Sequence, residues 1–194
     1  MKMPAKMKLT AVISLVMTAL FAVFYITSDE DVFLTFAISF ATVTYHFAMR
    51  LAVGKTVDMI FHNKMDHNKK WFRVGKAEQH VYNLLRVRKW KGKMPTYDLK
   101  AFDPKIHSWD EIAGATCQSE IVHEIIMVLS FLPILASVWF GALPVFVITS
   151  VLSACFDCLF VMMQRYNRPR IVKVAERQRR KTDVQRKNKT NKEV

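Results

Sequence analysis

The sequence has little cysteine, and it contains no internal repeat. Its three cysteines are Cys117, Cys155 and Cys158. The last two form a Cys-x-x-Cys pair, but no second pair accompanies them, so a metal site is not expected. We interpret the three thiols as small packing groups in apolar surroundings.

Charge is absent from two long stretches of the chain and nearly absent from a third. Leu9–Ser28 and Val32–Met49 contain no charged residue, and Ile125–Met163 contains only Asp157. Apolar runs of about 18 residues or more are long enough to cross a bilayer. The third run would make a helix about 58 Å long, roughly twice the hydrocarbon thickness. We therefore expect Gly141–Pro144 to divide it into a helical hairpin.

These runs predict an all-α integral membrane protein with four transmembrane helices, at about 9–28, 32–50, 119–140 and 144–164. Between the second and third spans, the basic segment 54–118 is expected to contain one or two helices lying on the membrane surface. Residues 1–170 then form a single membrane domain, and the highly charged residues 171–194 form a tail expected to be disordered, or a frayed helix at best. A cleaved signal peptide is the alternative for the first run, but the run is too long and lacks a cleavage site.

The charge balance supports this topology. The chain has 29 Lys and Arg against 16 Asp and Glu, and four spans would place every basic residue on one side of the membrane. The positive-inside rule then predicts a multi-pass cell-membrane protein with both termini in the cytoplasm. Because topology accounts for the basic excess, we expect anionic membrane lipids as partners and no nucleic acid.

Glu120 and His123 lie three residues apart where the third apolar run begins, so they share a helix face. A carboxylate beside an imidazole can fix its tautomer, as a general base requires. The alternative is structural: Ser119 would cap the helix while Glu120 complements its dipole. The sequence alone leaves both interpretations open.

Three further polar residues fall within the predicted spans. His46 and Arg50 lie four residues apart near the end of the second span, where an arginine that reaches out to water is favoured over a polar lining. Asp157 lies about 10 Å deeper along its helix than Gln164. An acid inside the bilayer is costly, so we expect Asp157 to face a nearby Arg or His, or to be protonated, and to line a site.

The segment Gln164-Arg165-Tyr166-Asn167-Arg168-Pro169-Arg170 begins where the fourth apolar run ends. A basic membrane flank requires only Lys or Arg, so the interspersed Gln, Tyr, Asn and Pro indicate a site. Arginine forks are suited to phosphate or carboxylate groups.

These residues resemble the glycosyl-4,4'-diaponeurosporenoate acyltransferases of staphyloxanthin-type carotenoid biosynthesis. The seven residues from Gln164 to Arg170 are similar to that family's hallmark, and Glu120-Ile121-Val122-His123 is similar to a second element. Trp71-Phe72-Arg73-Val74 and Val87-Arg88-Lys89-Trp90-Lys91 form a third. The chain departs from the pattern at Asp157, where the family tends to have Asn. The resemblance covers about half of the chain.

The resemblance implies transfer of a fatty acyl group to a hydroxyl of a lipid-linked glycoside. His123 would take the proton of the attacking hydroxyl and Glu120 would orient His123. The hypothesis assigns substrate binding to the remaining candidates: Gln164, Arg165, Tyr166, Asn167, Arg168 and Arg170 for an anionic donor and the oxyanion, Asp157 as a lining group, and Arg88 and Trp90 for the polar headgroup.

The expected enzyme holds no cofactor and uses acyl-CoA or another activated acyl donor as cosubstrate. A non-enzymatic basic membrane protein that binds anionic lipids or scaffolds a lipid-modifying enzyme is the alternative. An acyl hydrolase with the same base is a third interpretation. The sequence leaves open the identities of donor and acceptor, the chain length and the oligomeric state.

Overall fold

The structure is a computed structural model that describes residues 3–141 and 143–190. It is 83% helical, and no strand occurs in these two ranges. The described residues form seven α-helices: α1 Met3–Ser28, α2 Asp31–Phe61, α3 Lys76–Leu84, α4 Val87–Trp90, α5 Trp109–Leu129, α6 Ser137–Phe140 and α7 Leu143–Thr190.

Four helical stretches are long and apolar enough to span a membrane, which confirms the predicted all-α architecture. They are Met3–Ser28, Asp31–Phe61, Trp109–Phe140 and Leu143–Val184. Hydroxyl side chains within them, such as Ser14 and Thr42, donate to the carbonyl oxygen four residues earlier. This satisfies their only hydrogen without a partner from another helix, as an apolar medium requires.

The third span begins ten residues earlier than the sequence predicted. Ser108 and Glu111 form a capping box: the Glu111 carboxylate accepts the Ser108 amide at 2.8 Å, and the Ser108 hydroxyl accepts the Glu111 amide at 3.3 Å. These bonds satisfy otherwise unpaired donors at the start of α5. Ser119 therefore lies inside the helix, and the prediction that it caps the third span is wrong.

The predicted hairpin break is present between α6 and α7. After α5 the chain forms a 3₁₀ turn, Leu132–Ala136, with Pro133 in its first turn, and then the short α6. Gly141 has a φ of +66°, a left-handed conformation that glycine adopts without steric penalty.

The fourth span continues without interruption into the tail. The helix α7 extends to Thr190, so residues 171–190 are helical, the second of the two expectations for the tail, while the last four tail residues lie outside the described ranges. An exposed ion pair at 2.7 Å between Arg179 and Asp110 links this extension to the start of α5.

Two compact units divide the chain. The first comprises residues 1–60, 95–97 and 121–160, and the second comprises residues 61–94, 98–120 and 161–194. The helices α5 and α7 each contribute residues to both units. The first unit holds most of the apolar helical length.

The second unit has a small hydrophobic core formed by Tyr82, Val87 and Tyr166. Two helices of the predicted interfacial segment, α3 and α4, are separated at Arg86, which has a left-handed backbone with a φ of +51°. Val81, Leu84 and Leu85 are exposed, which leaves their side chains available to the membrane surface as a helix lying on it requires. Tyr82 is the buried residue of α3.

Candidate active site

Six polar side chains meet inside the first unit, and we call them the buried polar cluster. They occupy three helices: α2, α5 and α7. Spacings of four residues in α2 and α7, and of seven in α5, put the members from each helix on one face. The members are His46, Arg50, His123, Ser130, Ser153 and Asp157.

Asp157 is the buried carboxylate of this cluster. Its side chain is only 1% exposed, one oxygen accepts a bond from Arg50, and the other lies 2.8 Å from Nδ1 of His123. This confirms the prediction that a nearby Arg or His would partner Asp157. Burial of a charge requires such a partner, since an isolated carboxylate loses its hydration in an apolar interior.

His123 is held from two sides. Its Nδ1 bonds to Asp157, and its ring is stacked on Phe160, with centroids 4.4 Å apart and planes within 3° of parallel. A carboxylate oxygen accepts from an imidazole N–H, so this contact corresponds to the tautomer with the proton on Nδ1. The Nε2 atom then presents a lone pair. The His123 side chain is 19% exposed, so the ring that carries Nε2 is partly accessible.

The carboxylate that orients His123 is Asp157 rather than Glu120. Glu120 belongs to the second unit, where both of its oxygens bond to arginines, and His123 is bonded within the first unit. The predicted pairing of Glu120 with His123 is therefore not formed. Shared position on one helix face did not decide the pairing, because other helices supply stronger partners to each residue.

Arg50 does not extend to water as the sequence analysis favoured. Its side chain is 15% exposed, and its guanidinium donates to Asp157, to Ser153 at 2.7 Å and to the carbonyl of His46 at 3.1 Å. His46 and Arg50 instead belong to the buried polar cluster, and their role in lining a site stays a prediction. Ser153 in turn lies 3.2 Å from Nδ1 of His46.

The second unit contains a different ionic network, which we call the arginine clasp: Glu78, Glu120, Arg165 and Arg168. Glu120 is fully buried, Arg168 is 2% exposed, and the two form an ion pair. Arg165 donates to Glu120 at 2.5 Å and also pairs with Glu78. Two carboxylates thus neutralise two arginines.

The arginines of the clasp also donate hydrogen bonds to backbone carbonyl groups. Arg168 donates to the carbonyl oxygens of Phe72 and Thr116, both at 3.1 Å. Arg165 donates to the carbonyls of Trp71 at 3.1 Å and Arg73 at 3.3 Å. Arginine suits this task because its planar fork offers five donors. The side chains from α7 therefore hold the turn near residue 72, α3 and the start of α5 together.

Other residues of the Gln164–Arg170 segment also have partners inside the protein. Gln164 donates to Ser119 at 3.0 Å, and Asn167 accepts from Lys91. Tyr166 is buried in the small core. Arg170 stacks on the Tyr166 ring, with its guanidinium carbon 3.7 Å from the centroid. The segment thus contributes to structure at nearly every position.

The two interfacial candidates differ in their surroundings. Trp90 packs against the small core and donates from Nε1 to the Leu85 carbonyl at 3.1 Å, whereas Arg88 is exposed. Burial, together with repulsion from Arg170 and Arg88, lowers the pKa of Lys91. These three cations therefore lie close enough to repel one another.

A cavity of about 150 Å³ opens beside Tyr166 in the second unit. Its polar lining comes from Gln79, Asn83, Arg165, Arg170 and Lys173. Since Arg165 is paired with Glu78 and Glu120, Arg170 and Lys173 are the lining cations with no carboxylate partner in the described part of the chain.

The pKa of Glu78, the carboxylate of α3, depends on its burial and its hydrogen-bond partners. Burial acts to raise the pKa of Glu78, but hydrogen bonds from Arg165 and Tyr82 outweigh it, and the pKa lies below its usual value. Burial and the nearby Glu78 carboxylate raise the pKa of Tyr82. The pair is thus held as carboxylate and neutral phenol.

Glu78, the second anion of the arginine clasp, and the two serines of the buried polar cluster were not predicted from the sequence. Serine is common in apolar helices, so a single Ser carries no signal. The sequence did contain one indication of a shared site. Ser153 and Asp157 lie four residues apart on one helix, as His46 and Arg50 do on another. No group of His, Cys, Asp or Glu able to hold a metal ion occurs in the two described ranges.

Comparison with protein families gives a match to one family over the region that holds most of these residues. The family is described as glycosyl-4,4'-diaponeurosporenoate acyltransferase, and the match covers residues 68–177, more than half of the 194 residues. It includes α3, α4, α5, α6 and the part of α7 that carries Ser153, Asp157 and the arginines. Comparison with curated proteins and with solved structures gives no match.

Proposed function

Because the chain belongs to the glycosyl-4,4'-diaponeurosporenoate acyltransferase family, we propose that it transfers a fatty acyl group to a hydroxyl of a lipid-linked glycoside. Family membership makes the chain an acyltransferase and associates it with carotenoid biosynthesis. It favours an enzyme over the non-enzymatic lipid-binding protein. An acyl donor and a glycolipid acceptor are the partners that the family implies.

The His123–Asp157 pair is the observation that carries the mechanism. Ester formation requires removal of a proton from the acceptor hydroxyl as its oxygen attacks the acyl carbonyl. With Nδ1–H bonded to Asp157 at 2.8 Å, the lone pair on Nε2 of His123 is available to take that proton. His123 is therefore the general base in this proposal.

Asp157 and Arg50 are positioning residues in the same scheme. Asp157 fixes the tautomer of His123 and stabilises the imidazolium that forms when the proton arrives. Arg50 compensates the buried carboxylate of Asp157 through their ion pair.

Location and substrate placement follow from the apolar spans. The four helices indicate a membrane protein, and the basic residues on one side place both termini in the cytoplasm in our proposal. The acyl chains of donor and acceptor would lie among the apolar side chains of the spans. For the second unit we propose recognition of an anionic donor by Arg170 and Lys173, while the arginine clasp maintains the fold.

The test is acyl transfer in membranes from cells that express single variants. We expect His123→Gln to lower the transfer rate by about 10²- to 10⁴-fold, the usual contribution of a general base. Asp157→Asn should lose less than Asp157→Ala, because the amide oxygen still accepts from Nδ1. His80→Gln is the matched control, since His80 is exposed on α3.

The readout is mass spectrometry of extracted lipids, which detects the acylated glycoside directly. Comparison of cells with and without the gene identifies the product first. Wild-type yields of that product from His123→Gln, at equal protein levels in the membrane, would remove His123 from the mechanism.

A further inference from the structure

Ser153 has an environment that a hydroxyl in an apolar helix does not need. Many serine and threonine hydroxyls of the spans bond to their own helix backbone, as Thr149 does to the Val145 carbonyl at 2.8 Å. Ser153 instead meets side chains from two other helices. Its neighbours are Arg50 at 2.7 Å, Ser130 at 3.0 Å and Nδ1 of His46 at 3.2 Å.

The donors and acceptors of the hydrogen bonds around Ser153 can be assigned. Ser130 gives its only hydrogen to the Ile126 carbonyl at 2.8 Å, and Arg50 can only donate. The Ser153 hydrogen therefore goes either to Ser130 or to Nδ1 of His46. Both acceptors lie within reach, so a small rotation of the hydroxyl aligns it with the imidazole.

His46 has no bond that competes with this one. It is 8% exposed, and its Nε2 atom has no hydrogen-bond partner among the described residues. A buried imidazole without a second partner loses hydrogen-bond energy unless a ligand or reaction uses it. Arg50 adds a fixed positive charge beside Ser153 Oγ, which favours the oxyanions that form on attack.

We propose that Ser153 is a catalytic nucleophile that carries the acyl group as an ester, with His46 as its base. The inference rests on the proposed acyltransferase function and adds a covalent intermediate to it. Transfer then takes place in two steps, with His46 serving the first and His123 the second.

The two steps balance as follows. In the first, Oγ of Ser153 attacks the carbonyl of an activated acyl donor R–CO–X, in which X is a thiolate or a phosphate. The Oγ–C bond forms, the C–X bond breaks as X leaves as its anion, and the hydroxyl proton passes to Nδ1 of His46. In the second, the acceptor oxygen attacks the ester carbonyl and the C–Oγ bond breaks. His46 returns its proton to Oγ, and the acceptor proton goes to Nε2 of His123 and from there to water, so the enzyme returns unchanged.

The experiment traps the intermediate on the full-length protein in detergent. The enzyme is incubated with a C16 acyl-coenzyme A, or with the C16 acyl phosphate, without acceptor, and its intact mass is measured. We expect one added acyl group, located by peptide mapping at Ser153. Ser153→Ala should abolish the label and lower product formation in cells by at least about 100-fold.

Controls separate this site from its neighbours. Ser150→Ala is the matched variant, because Ser150 is a buried serine on the same helix whose hydroxyl has no partner among the described residues; it should label like the wild type. The double variant Cys155→Ser/Cys158→Ser should also label, which excludes a thioester on the nearby thiols. Ser153→Cys keeps a small nucleophile and should retain the adduct if Ser153→Ala fails to fold. His123→Gln should acquire the label but fail to discharge it to the acceptor.

The outcomes distinguish the two proposals. Normal product formation by Ser153→Ala in cells would overturn the covalent step while leaving direct transfer with His123 as base. Absence of the acylated glycoside from wild-type cells would instead overturn the proposed function. A label that maps to any residue other than position 153 would also overturn the inference.

Discussion

Removal of the Glu120 carboxylate should destabilise the protein strongly, because it leaves Arg168 as an uncompensated buried charge. Glu120 is 0% and Arg168 2% exposed. After Glu120→Ala, Arg168 retains only neutral acceptors, the hydroxyl and carbonyl of Thr116 and the carbonyl of Phe72. Arg165 retains Glu78. The loss is therefore concentrated at Arg168.

The magnitude follows from burial. Breaking a buried ion pair by removing one partner costs about 3–5 kcal/mol. For a chain of this length, each kcal/mol shifts the melting temperature by about 2–4 °C, so we expect a decrease of roughly 6–20 °C. Asp110→Ala is the matched control. It breaks the Arg179–Asp110 pair, whose side chains are 64% and 35% exposed, and exposed pairs contribute about 0–1 kcal/mol.

The assay is thermal unfolding of purified variants in detergent, followed by circular dichroism and by acyl transfer below the melting temperature. The double variant Glu120→Met/Arg168→Leu should be less destabilised than the sum of its single variants, since it removes both charges together. Equal melting temperatures for Glu120→Ala and Asp110→Ala would refute the buried-counterion argument. A stable but inactive Glu120→Ala would return Glu120 to a catalytic role.

Three further predictions concern the second unit. The pKa of Glu78 is lowered in the folded protein, so its ion pair stabilises the fold above the ordinary carboxyl pKa. That stabilisation is lost as the pH falls through the folded-state pKa. In thermal melts at several pH values, the melting temperature of Glu78→Gln should therefore fall less on acidification than that of the wild type. Gly114→Ala should destabilise by about 1–3 kcal/mol, because its Cβ would lie 2.9 Å from the Asn63 carbonyl oxygen. Gly92→Ala, with nothing within 4 Å, is its control in the same melts. Arg170→Gln should raise KM for the acyl donor about 10-fold with little change in kcat, and an unchanged KM would remove Arg170 from donor binding.

The sequence predicted the number and order of the spans because exclusion of charge from a bilayer core is a strong constraint. The same constraint predicted that Asp157 would have an Arg or His partner. The start of α5 was missed because Ser108 and Glu111 act through local hydrogen bonds that hydropathy does not record. The tail was predicted from composition to be disordered, or a frayed helix at best, and α7 continues to Thr190.

The pairing of charges was the least predictable part of the candidate site. Helical spacing put Glu120 beside His123, yet each residue bonds to a side chain distant in sequence. Spacing along one helix defines a face, and the choice of partner depends on which other helix meets that face. A single sequence does not contain that information. The Gln164–Arg170 segment was recognised as unusual, but the carboxylates that engage its arginines could not be assigned.

The first helix has few side chains whose identity is constrained by packing. Ser14 is the only buried residue described in α1, and most of its large apolar side chains are exposed. Many large apolar residues would serve equally at those positions, so their identities can vary among related proteins while the overall hydrophobicity is kept. We expect sequence divergence to concentrate there, and an exchange of this helix for an unrelated anchor to be tolerated.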